Sequence, residues 1–352
     1  MNKKIATLVC FSSIPLWLLI SFARKNPHLV EKYYSQLTYP IVLNLHKLFL
    51  DLIPFSFGDI LYLGMTFFVI RTILKKIYFW RIKPLNLFLD IGSLLILSVW
   101  IFHISWGFNY HRLPLKEQLQ IPIFYTLEDL DNCLNKIIKE SNNLHSYLIS
   151  SDTLAVTFPF SKEHLSKKII LYHPIYQESL LGFSKIKNSL MSLPLSYMGY
   201  SGYLNPFTLE LQVNAKMPIQ SLITTSLHEM AHQLGYASEK EANFIAYLSA
   251  INSKDPYIQY AGKTFAFGYL FRDLYKLNQE KARDKLKLLN PGILKNFNEV
   301  NNFWKKYENP FEIVFDKTYD AYLKLNGQKS GIKSYNEMVG LVINYHKNEE
   351  QY

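Results

Sequence analysis

The sequence predicts an α+β protein that is mostly α-helical, with transmembrane helices at the N-terminus and a helical domain with a small β-sheet after them. Two observations predict this arrangement. Long apolar runs are concentrated in residues 1–108, whereas amphipathic helical patterns fill most of residues 109–352. A short stretch inside the second region instead alternates apolar and polar residues, as a strand does. We therefore predict a membrane anchor over residues 1–108 and one further domain over residues 109–352.

Three apolar runs in the anchor are long enough to approach a membrane span, at about residues 5–22, 57–74 and 85–108. A helix needs roughly 20 such residues to cross about 30 Å of hydrocarbon. The first run could be a signal peptide, but no small-x-small cleavage site follows it, which favours an uncleaved signal anchor. Between residues 41 and 53, apolar residues recur at helical spacing. They predict a helix that lies in the membrane interface or packs against the outer domain.

The basic residues predict the orientation of these spans. Two lysines precede the first span and a second group crowds the short loop after the second: Lys3, Lys4, Arg71, Lys75, Lys76, Arg81 and Lys83. Both places should face the cytoplasm under the positive-inside rule. Three spans then put everything after about Asn109 on the outer side of a multi-pass protein, with the lipid bilayer as one partner.

Charge and cysteine content exclude two other classes of protein. The net charge is +10, but the lysines are scattered and form no basic stripe with interleaved aromatics, so no nucleic-acid partner is expected. The two cysteines, Cys10 and Cys133, are too few for a disulfide framework or a cysteine-built zinc site.

The outer domain contains one helix start and one strand that the sequence marks clearly. Thr126 and Asp129 have the spacing of a capping box before an apolar helical stripe. Residues 203–214 read as a half-buried strand, because Leu209, Leu211 and Val213 alternate with polar residues. This strand would either form the rim of a cleft that pairs with an extended peptide, or be an ordinary member of the sheet.

The stretch from Ser226 to Gly235 contains an H-E-x-x-H sequence, with His228, Glu229 and His232. The pattern predicts a helix that ends at Gly235, on which the two histidines share one face. Two imidazoles in that arrangement can hold one zinc ion, and Glu229 would lie beside a zinc-activated water. Glu229 is therefore the expected general base, which accepts a proton from this water and passes it to a leaving amine.

A third zinc ligand must come from outside the motif. A third histidine ten residues after the first is excluded, because Ser238 occupies that position. Glu241, nine residues beyond His232, is the preferred ligand. Its competing role is to close a capping box with Ser238, and Glu239 is the second choice as ligand.

A hydrogen-bond donor to the oxyanion is also expected, and several side chains are candidates for this role or for binding the substrate. The tyrosines and the histidine of the C-terminal helices and two polar residues of the predicted strand form this group: Tyr319, Tyr322, Tyr335, His346, Glu210 and Asn214.

The chain resembles the bacterial membrane-anchored proteins grouped as domain of unknown function 3810, which belong with the gluzincin-type zinc peptidases. The matching stretches cover nearly the whole chain and lie at residues 106–112, 205–208, 228–233, 241–244, 322–327 and 331–335. The resemblance implies a zincin-like (gluzincin) domain with ligands His228, His232 and Glu241, catalytic Glu229, and residence in the bacterial cytoplasmic (inner) membrane. Better-known gluzincins often carry an acidic residue one turn after the glutamate ligand, where this chain has Ile245. Asn243 is the expected substitute support for a histidine.

Three functions are compatible with these features. The first is a membrane-anchored zinc metallopeptidase with an extracytoplasmic domain and a peptide or protein substrate. The second is a non-catalytic envelope or membrane interaction protein with a zinc-stabilised core. The third is a protein that binds no metal.

Overall fold

The computed structural model describes residues 3–78, 84–169, 185–326 and 335–349. The chain is mostly helical with a small three-stranded sheet and apolar N-terminal helices, which confirms the predicted fold class at this level. It divides into two compact units. Unit 1 comprises Met1–Leu113 together with Asn205–Glu210, and unit 2 comprises Pro114–Leu204 and Leu211–Tyr352.

Unit 1 is built from helices. They are α1 (Lys3–Phe11), α2 (Ser13–Lys25), α3 (Pro27–Leu29), a π-helix (Val30–Thr38), α4 (Tyr39–Leu50), α5 (Phe57–Tyr78), α6 (Pro84–Ser105) and a 3₁₀ helix (Gly107–His111). Three stretches are long and apolar enough to cross a membrane, and they coincide with the three predicted runs: Lys3–Lys25, Phe57–Leu74 and Phe88–Ser105. Arg81 and Lys83 of the predicted cytoplasmic loop lie outside the described residues.

Polar contacts hold the helices of unit 1 together at one end of α6. The Arg112 guanidinium donates two hydrogen bonds to the Glu31 carboxylate, at 2.9 and 2.7 Å, and the Ser35 hydroxyl donates to Asn109 at 2.9 Å. The segment Asn205–Glu210, between two parts of unit 2 in the sequence, also belongs to unit 1. Glu210 accepts hydrogen bonds from the backbone N–H groups of Phe57 and Gly58, where the free amides at the start of α5 need an acceptor.

The sheet differs from the single strand predicted over residues 203–214. Its strands are β1 (Ile186–Asn188), β2 (Gly202–Leu204) and β3 (Leu211–Val213), in the order β1-β3-β2, with β1 parallel and β2 antiparallel to β3. The chain leaves the sheet after β2 because Asn205 accepts from the N–H groups of Phe207 and Thr208, which forms a tight turn. Leu209 then has a positive φ of 56°. The prediction of one half-buried strand was wrong, and β3 is buried on both faces.

Unit 2 carries eleven of the helices that the structure describes, with the sheet beside them. These are α7 (Leu115–Leu119), α8 (Leu127–Leu148), α9 (Lys162–Lys168), α10 (Ser192–Tyr197), α11 (Ile219–Gln233), α12 (Glu239–Ile251), α13 (Pro256–Leu277), α14 (Gln279–Lys287), α15 (Pro291–Lys305), α16 (Glu312–Leu325) and α17 (Tyr335–Glu349). The capping box predicted at Thr126 and Asp129 opens α8, as expected.

The core of unit 2 is centred on α11, α12 and α13. Ile223, Leu227, Phe244 and Tyr247 are fully buried there. Each such side chain contributes roughly 1.5–3 kcal/mol to stability through removal of apolar surface from water. Burial of these apolar faces fixes the angle between α11 and α12. This angle positions the residues of the H-E-x-x-H stretch.

The close approach of α13 to α12 yields a paired test of packing. A Cβ added at Gly262 would lie 2.4 Å from the Cβ of Ala250, whereas a Cβ at Gly268, in the same helix, has no atom within 4 Å. We expect Gly262→Ala to lower the free energy of unfolding by about 1–3 kcal/mol through overpacking. Gly268→Ala should instead raise it by roughly 0.5–1 kcal/mol, since alanine favours the helix. Denaturant unfolding of the detergent-solubilised chain measures both, and equal shifts would contradict this packing.

Candidate metal centre

The two histidines of the motif lie in the last turns of α11, which ends as the sequence predicts. Gly235 has a φ of +85°, the N–H of Tyr236 donates to Ala231 O, and the N–H of Gly235 donates to His232 O. This pattern is a Schellman motif, which closes a helix and turns the chain sharply. The rings of His228 and His232 lie edge to face with their centroids 4.5 Å apart. The turn then returns the chain toward them as α12.

Each imidazole is held through its Nδ1 atom. His228 Nδ1 lies 2.8 Å from Asn243 Oδ1, and His232 Nδ1 lies 2.6 Å from the carbonyl oxygen of Tyr236. An oxygen acceptor at Nδ1 keeps the proton there and leaves the Nε2 lone pair free. Both Nε2 atoms are therefore prepared as ligands. Asn243 has the supporting position that the sequence suggested for it.

Glu239 supplies the carboxylate that faces both histidines. Its Oε2 lies 3.2 Å from His228 Nε2, and its Oε1 lies 3.5 Å from His232 Nε2. Ligands of a tetrahedral zinc at bond lengths of 2.0–2.2 Å are about 3.3–3.6 Å apart. Among the described residues these three form a group whose ligand atoms all lie within 4.8 Å of one another. The donor set and its spacing therefore fit one zinc ion.

Glu241, the preferred third ligand, is not brought to the histidines. Its Oε1 accepts a hydrogen bond of 2.8 Å from the backbone N–H of Leu115. The capping box expected with Ser238 is also absent, because the Ser238 hydroxyl makes no cap hydrogen bond. Residues two apart on a helix are separated by about 200° around its axis. Glu239 and Glu241 thus point in nearly opposite directions, and only the first faces α11.

Glu229 lies between the histidines and the edge of the sheet. Its carboxylate is buried, and within the part of the chain that the structure describes its Oε2 has no hydrogen-bond partner. A Cβ added at Gly202 in β2 would lie 3.0 Å from Glu229 Oε1 and 2.7 Å from the carbonyl oxygen of Gln212. The glycine therefore permits β2 to approach this carboxylate closely.

The electrostatics of the cluster favour a bound cation. Burial lowers the pKa of His232, but the negative charges of Glu239 and Glu229 outweigh this effect and raise the pKa to about 9. Burial raises the pKa of Glu239, yet the two imidazoles hold it well below its usual range. Burial also raises the pKa of Glu229. The buried Glu229 and the half-buried Glu239 thus draw positive charge onto this cluster, which a divalent ion would supply.

Of the expected oxyanion donors whose side chains the structure describes, Tyr319 is the one that contacts the cluster. Its hydroxyl donates a hydrogen bond of 2.5 Å to Glu239 Oε1. Tyr322 stacks against the Tyr319 ring at 6.2 Å between centroids and is partly exposed. The side chain of Tyr335 lies outside the described residues.

The other candidates have structural contacts elsewhere. Glu210 belongs to unit 1, where it caps α5. Asn214 donates to the Ser196 hydroxyl at 2.8 Å and accepts from the N–H of Lys216 at 3.0 Å, which fixes the chain after β3. His346 is buried, with its Nε2 2.6 Å from the Tyr247 hydroxyl. These three are not placed in the metal centre.

A comparison with family models shows which protein family the chain belongs to. A family model described as "Protein of unknown function (DUF3810)" matches residues 34–343 of the chain. The chain belongs to this family. No curated protein and no solved structure matches the DUF3810 chain. Its candidate metal centre must therefore be interpreted from its own residues.

Sequence reasoning missed three features of the DUF3810 centre. They are the position of Glu239 against both imidazoles, the carbonyl of Tyr236 behind His232, and the close approach of Gly202 to Glu229. The position of Glu239 could have been predicted from the sequence. Glu239 and Asn243 are four residues apart and so share a face of α12, whereas Glu241 does not lie on that face. The backbone contacts have no comparable signal, because they depend on how the chain turns.

A pair of isosteric variants tests the carboxylate. Loss of a hydrogen bond that supports a metal ligand weakens metal binding by roughly 10–100-fold. We expect Glu239→Gln, which changes the ligand itself, to weaken zinc binding by more than this. Glu241→Gln should bind zinc nearly as the wild type does, because an amide oxygen can still accept from the Leu115 N–H. Competition with a chromogenic chelator measures both affinities. If Glu241→Gln loses zinc and Glu239→Gln retains it, the assignment is reversed.

Proposed function

We propose that this DUF3810 chain is a membrane-anchored zinc metallopeptidase of the gluzincin type, which hydrolyses peptide bonds. The observation that carries the proposal is the convergence of His228, His232 and Glu239 beside a buried Glu229 with a free oxygen. The position one turn after the carboxylate adds support. With Glu239 as ligand this position is Asn243, whose amide oxygen lies against His228 Nδ1 in the place of the acidic residue that better-known gluzincins often carry.

Glu229 is suited to move a proton. When bound, zinc would supply Lewis-acid polarisation of the substrate carbonyl and a lowered pKa for water. Glu229 accepts a proton from the attacking water at Oε2 and returns it to the leaving amine nitrogen. Burial makes Glu229 a stronger base than an exposed carboxylate, because desolvation raises its pKa. Among the described residues no group hydrogen-bonds to Oε2, which leaves that atom available for the transfer.

Strand β2 offers a means to bind an extended peptide. It is an edge strand of the described sheet, since β3 pairs with it on one side and the order is β1-β3-β2. An edge strand can add a peptide through main-chain hydrogen bonds. Gly202 brings this edge to Glu229, so a peptide bond aligned on β2 would lie beside the general base. The rim role anticipated for residues 203–214 is thus proposed for β2.

Tyr319 is the proposed donor to the oxyanion. Its hydroxyl lies at the carboxylate ligand, next to the space that the substrate carbonyl must occupy. A donor aimed at the developing negative charge stabilises the transition state more than the ground state.

Replacement of Glu229 tests the peptidase proposal. Glu229→Gln keeps the shape of the side chain but cannot take a proton, so we expect kcat/KM for peptide hydrolysis to fall by about 10²–10⁴-fold. Zinc stoichiometry should be unchanged, as measured by elemental analysis of the detergent-solubilised chain. Glu299→Gln, at an exposed position of α15, is the matched control and should retain activity. If wild type and Glu229→Gln are equally inactive across a broad peptide library while both hold zinc, the non-catalytic, zinc-stabilised alternative stands.

We further propose that the three apolar helices span the bacterial cytoplasmic membrane and place residues after about Asn109 on the outer side. Their length and apolar composition support spanning, and the lysines before the first and after the second support the orientation. A peptidase in this arrangement would act on substrates outside the cytoplasm.

Reporter fusions test the orientation. A C-terminal phosphatase that folds only outside the cytoplasm should be active, and a fusion after Lys76 should be inactive. A fluorescent protein that matures only in the cytoplasm should give the opposite pattern at both points. Phosphatase activity after Lys76 with none at the C-terminus would overturn the orientation.

A further inference from the structure

A cavity of about 210 Å³ lies in unit 2 at the corner between α15 and α16, separate from the metal centre. Two aromatic rings, two carboxylates and two small residues line it: Trp304, Tyr307, Glu308, Glu312, Ser196 and Gly199. The proposed catalytic steps use none of these residues.

The aromatic wall of this cavity is fixed by contacts with the chain before β2. The ring of Tyr307 lies edge to face with that of Tyr197 at 5.2 Å between centroids, and the Asn309 side chain donates to the Tyr197 carbonyl at 2.7 Å. Gly199 has a φ of +75°, which other residues adopt with strain, so the turn that closes the cavity needs glycine. The cavity is therefore formed before any ligand binds.

The two carboxylates are not neutralised by the protein. Across the described ranges, no lysine, arginine or histidine forms an ion pair with Glu308 or Glu312. Asp316, one turn further along α16, adds a third negative charge on the same side. Aromatic faces together with carboxylates bind an ammonium group through cation–π attraction and charge-assisted hydrogen bonds. Glu308 is exposed and Glu312 is half-buried, so an anionic ligand in this cavity would be repelled by their negative charges without a cation to offset them.

The cavity is connected to the metal centre along one face of α16. Glu312, Asp316 and Tyr319 share this face, and Tyr319 contacts both Glu239 and the ring of Tyr200. Seven residues separate Glu312 from Tyr319, which corresponds to about 10.5 Å along a helix. Gly199 precedes β2 by three residues, which corresponds to about 10 Å of extended peptide. Both paths place the cavity about three substrate residues from the bond beside Glu229.

We propose that this cavity is a substrate subsite that binds an alkylammonium group, about three residues from the peptide bond to be cleaved. The inference rests on the proposed peptidase function and adds a substrate class to it, namely peptides with a suitably placed positive charge. A lysine side chain and a free peptide N-terminus share this chemistry.

Binding to a hydrolytically blocked chain tests the subsite without relying on turnover. The full-length, zinc-loaded Glu229→Gln protein in detergent is titrated with acetylated, amidated decapeptides that carry one lysine or one norleucine at successive positions. At one position, lysine should bind on the order of tenfold more tightly than norleucine. Glu308→Gln and Glu312→Gln, added singly, should reduce this preference, and together they should abolish it. Glu299→Gln removes the same charge from α15 outside the cavity and should leave the preference unchanged.

The outcomes separate the subsite from the peptidase activity. If the wild type hydrolyses both peptides and the Glu229→Gln protein binds lysine and norleucine equally at every position, the subsite is overturned and the peptidase stands. A lysine preference that depends on Glu308 and Glu312, in a protein that hydrolyses no peptide, would support the cation site and overturn the peptidase. A preference that survives the double variant would overturn the assignment to this cavity. A matched series with free N-termini shows whether the terminal amine binds there in place of lysine, with the same dependence on both glutamates.

Discussion

The contact of Glu239 with two imidazoles is the interaction around which the candidate metal centre is arranged. It joins the end of α11 to the start of α12, at 3.2 and 3.5 Å from the two Nε2 atoms. The geometry requires an abrupt reversal of the chain within five residues, which the positive φ of Gly235 permits. The hydrophobic faces of α11 and α12 then hold the reversal in place, so a buried charge cluster is positioned by an apolar core.

The same reversal explains which residues of the candidate centre could be predicted from the sequence. His228, Glu229 and His232 were readable because three fixed spacings on one helix determine which side chains lie together. The third ligand depends on the rotation of α12 about its own axis, and a change of two residues turns the side chain to the opposite side. Glu241 was preferred because Glu239, at the very start of the helix, was expected to point away from the histidines. Asn243 was correctly expected to support a histidine, and its helical spacing was the available evidence for Glu239.

The sheet shows a different limit. Alternation over residues 208–213 was a real signal for β3, but it could not show that the preceding residues leave the sheet. Asn205 closes a turn with its side chain, and Glu210 then satisfies the free amides of α5 in unit 1. Glu210 fits the alternation of apolar and polar residues, yet its hydrogen-bond partners are remote in sequence. Local periodicity does not encode such partners. The helices, whose hydrogen bonds are local, were predicted more closely than the strands.

The position of α16 joins the two proposals through physical contacts. Tyr319 at its centre hydrogen-bonds the carboxylate that faces the histidines, while Glu312 at its start lines the aromatic cavity. A helix is stiff over seven residues, so a ligand that displaces Glu312 would also change the position of the Tyr319 hydroxyl. We therefore expect occupation of the cavity by a cation to be coupled to the geometry at Glu239, and by linkage such a coupling would act equally in both directions. A substrate charge bound at the cavity would help to set the donor that the reaction needs, which gives the subsite a role in rate as well as in affinity.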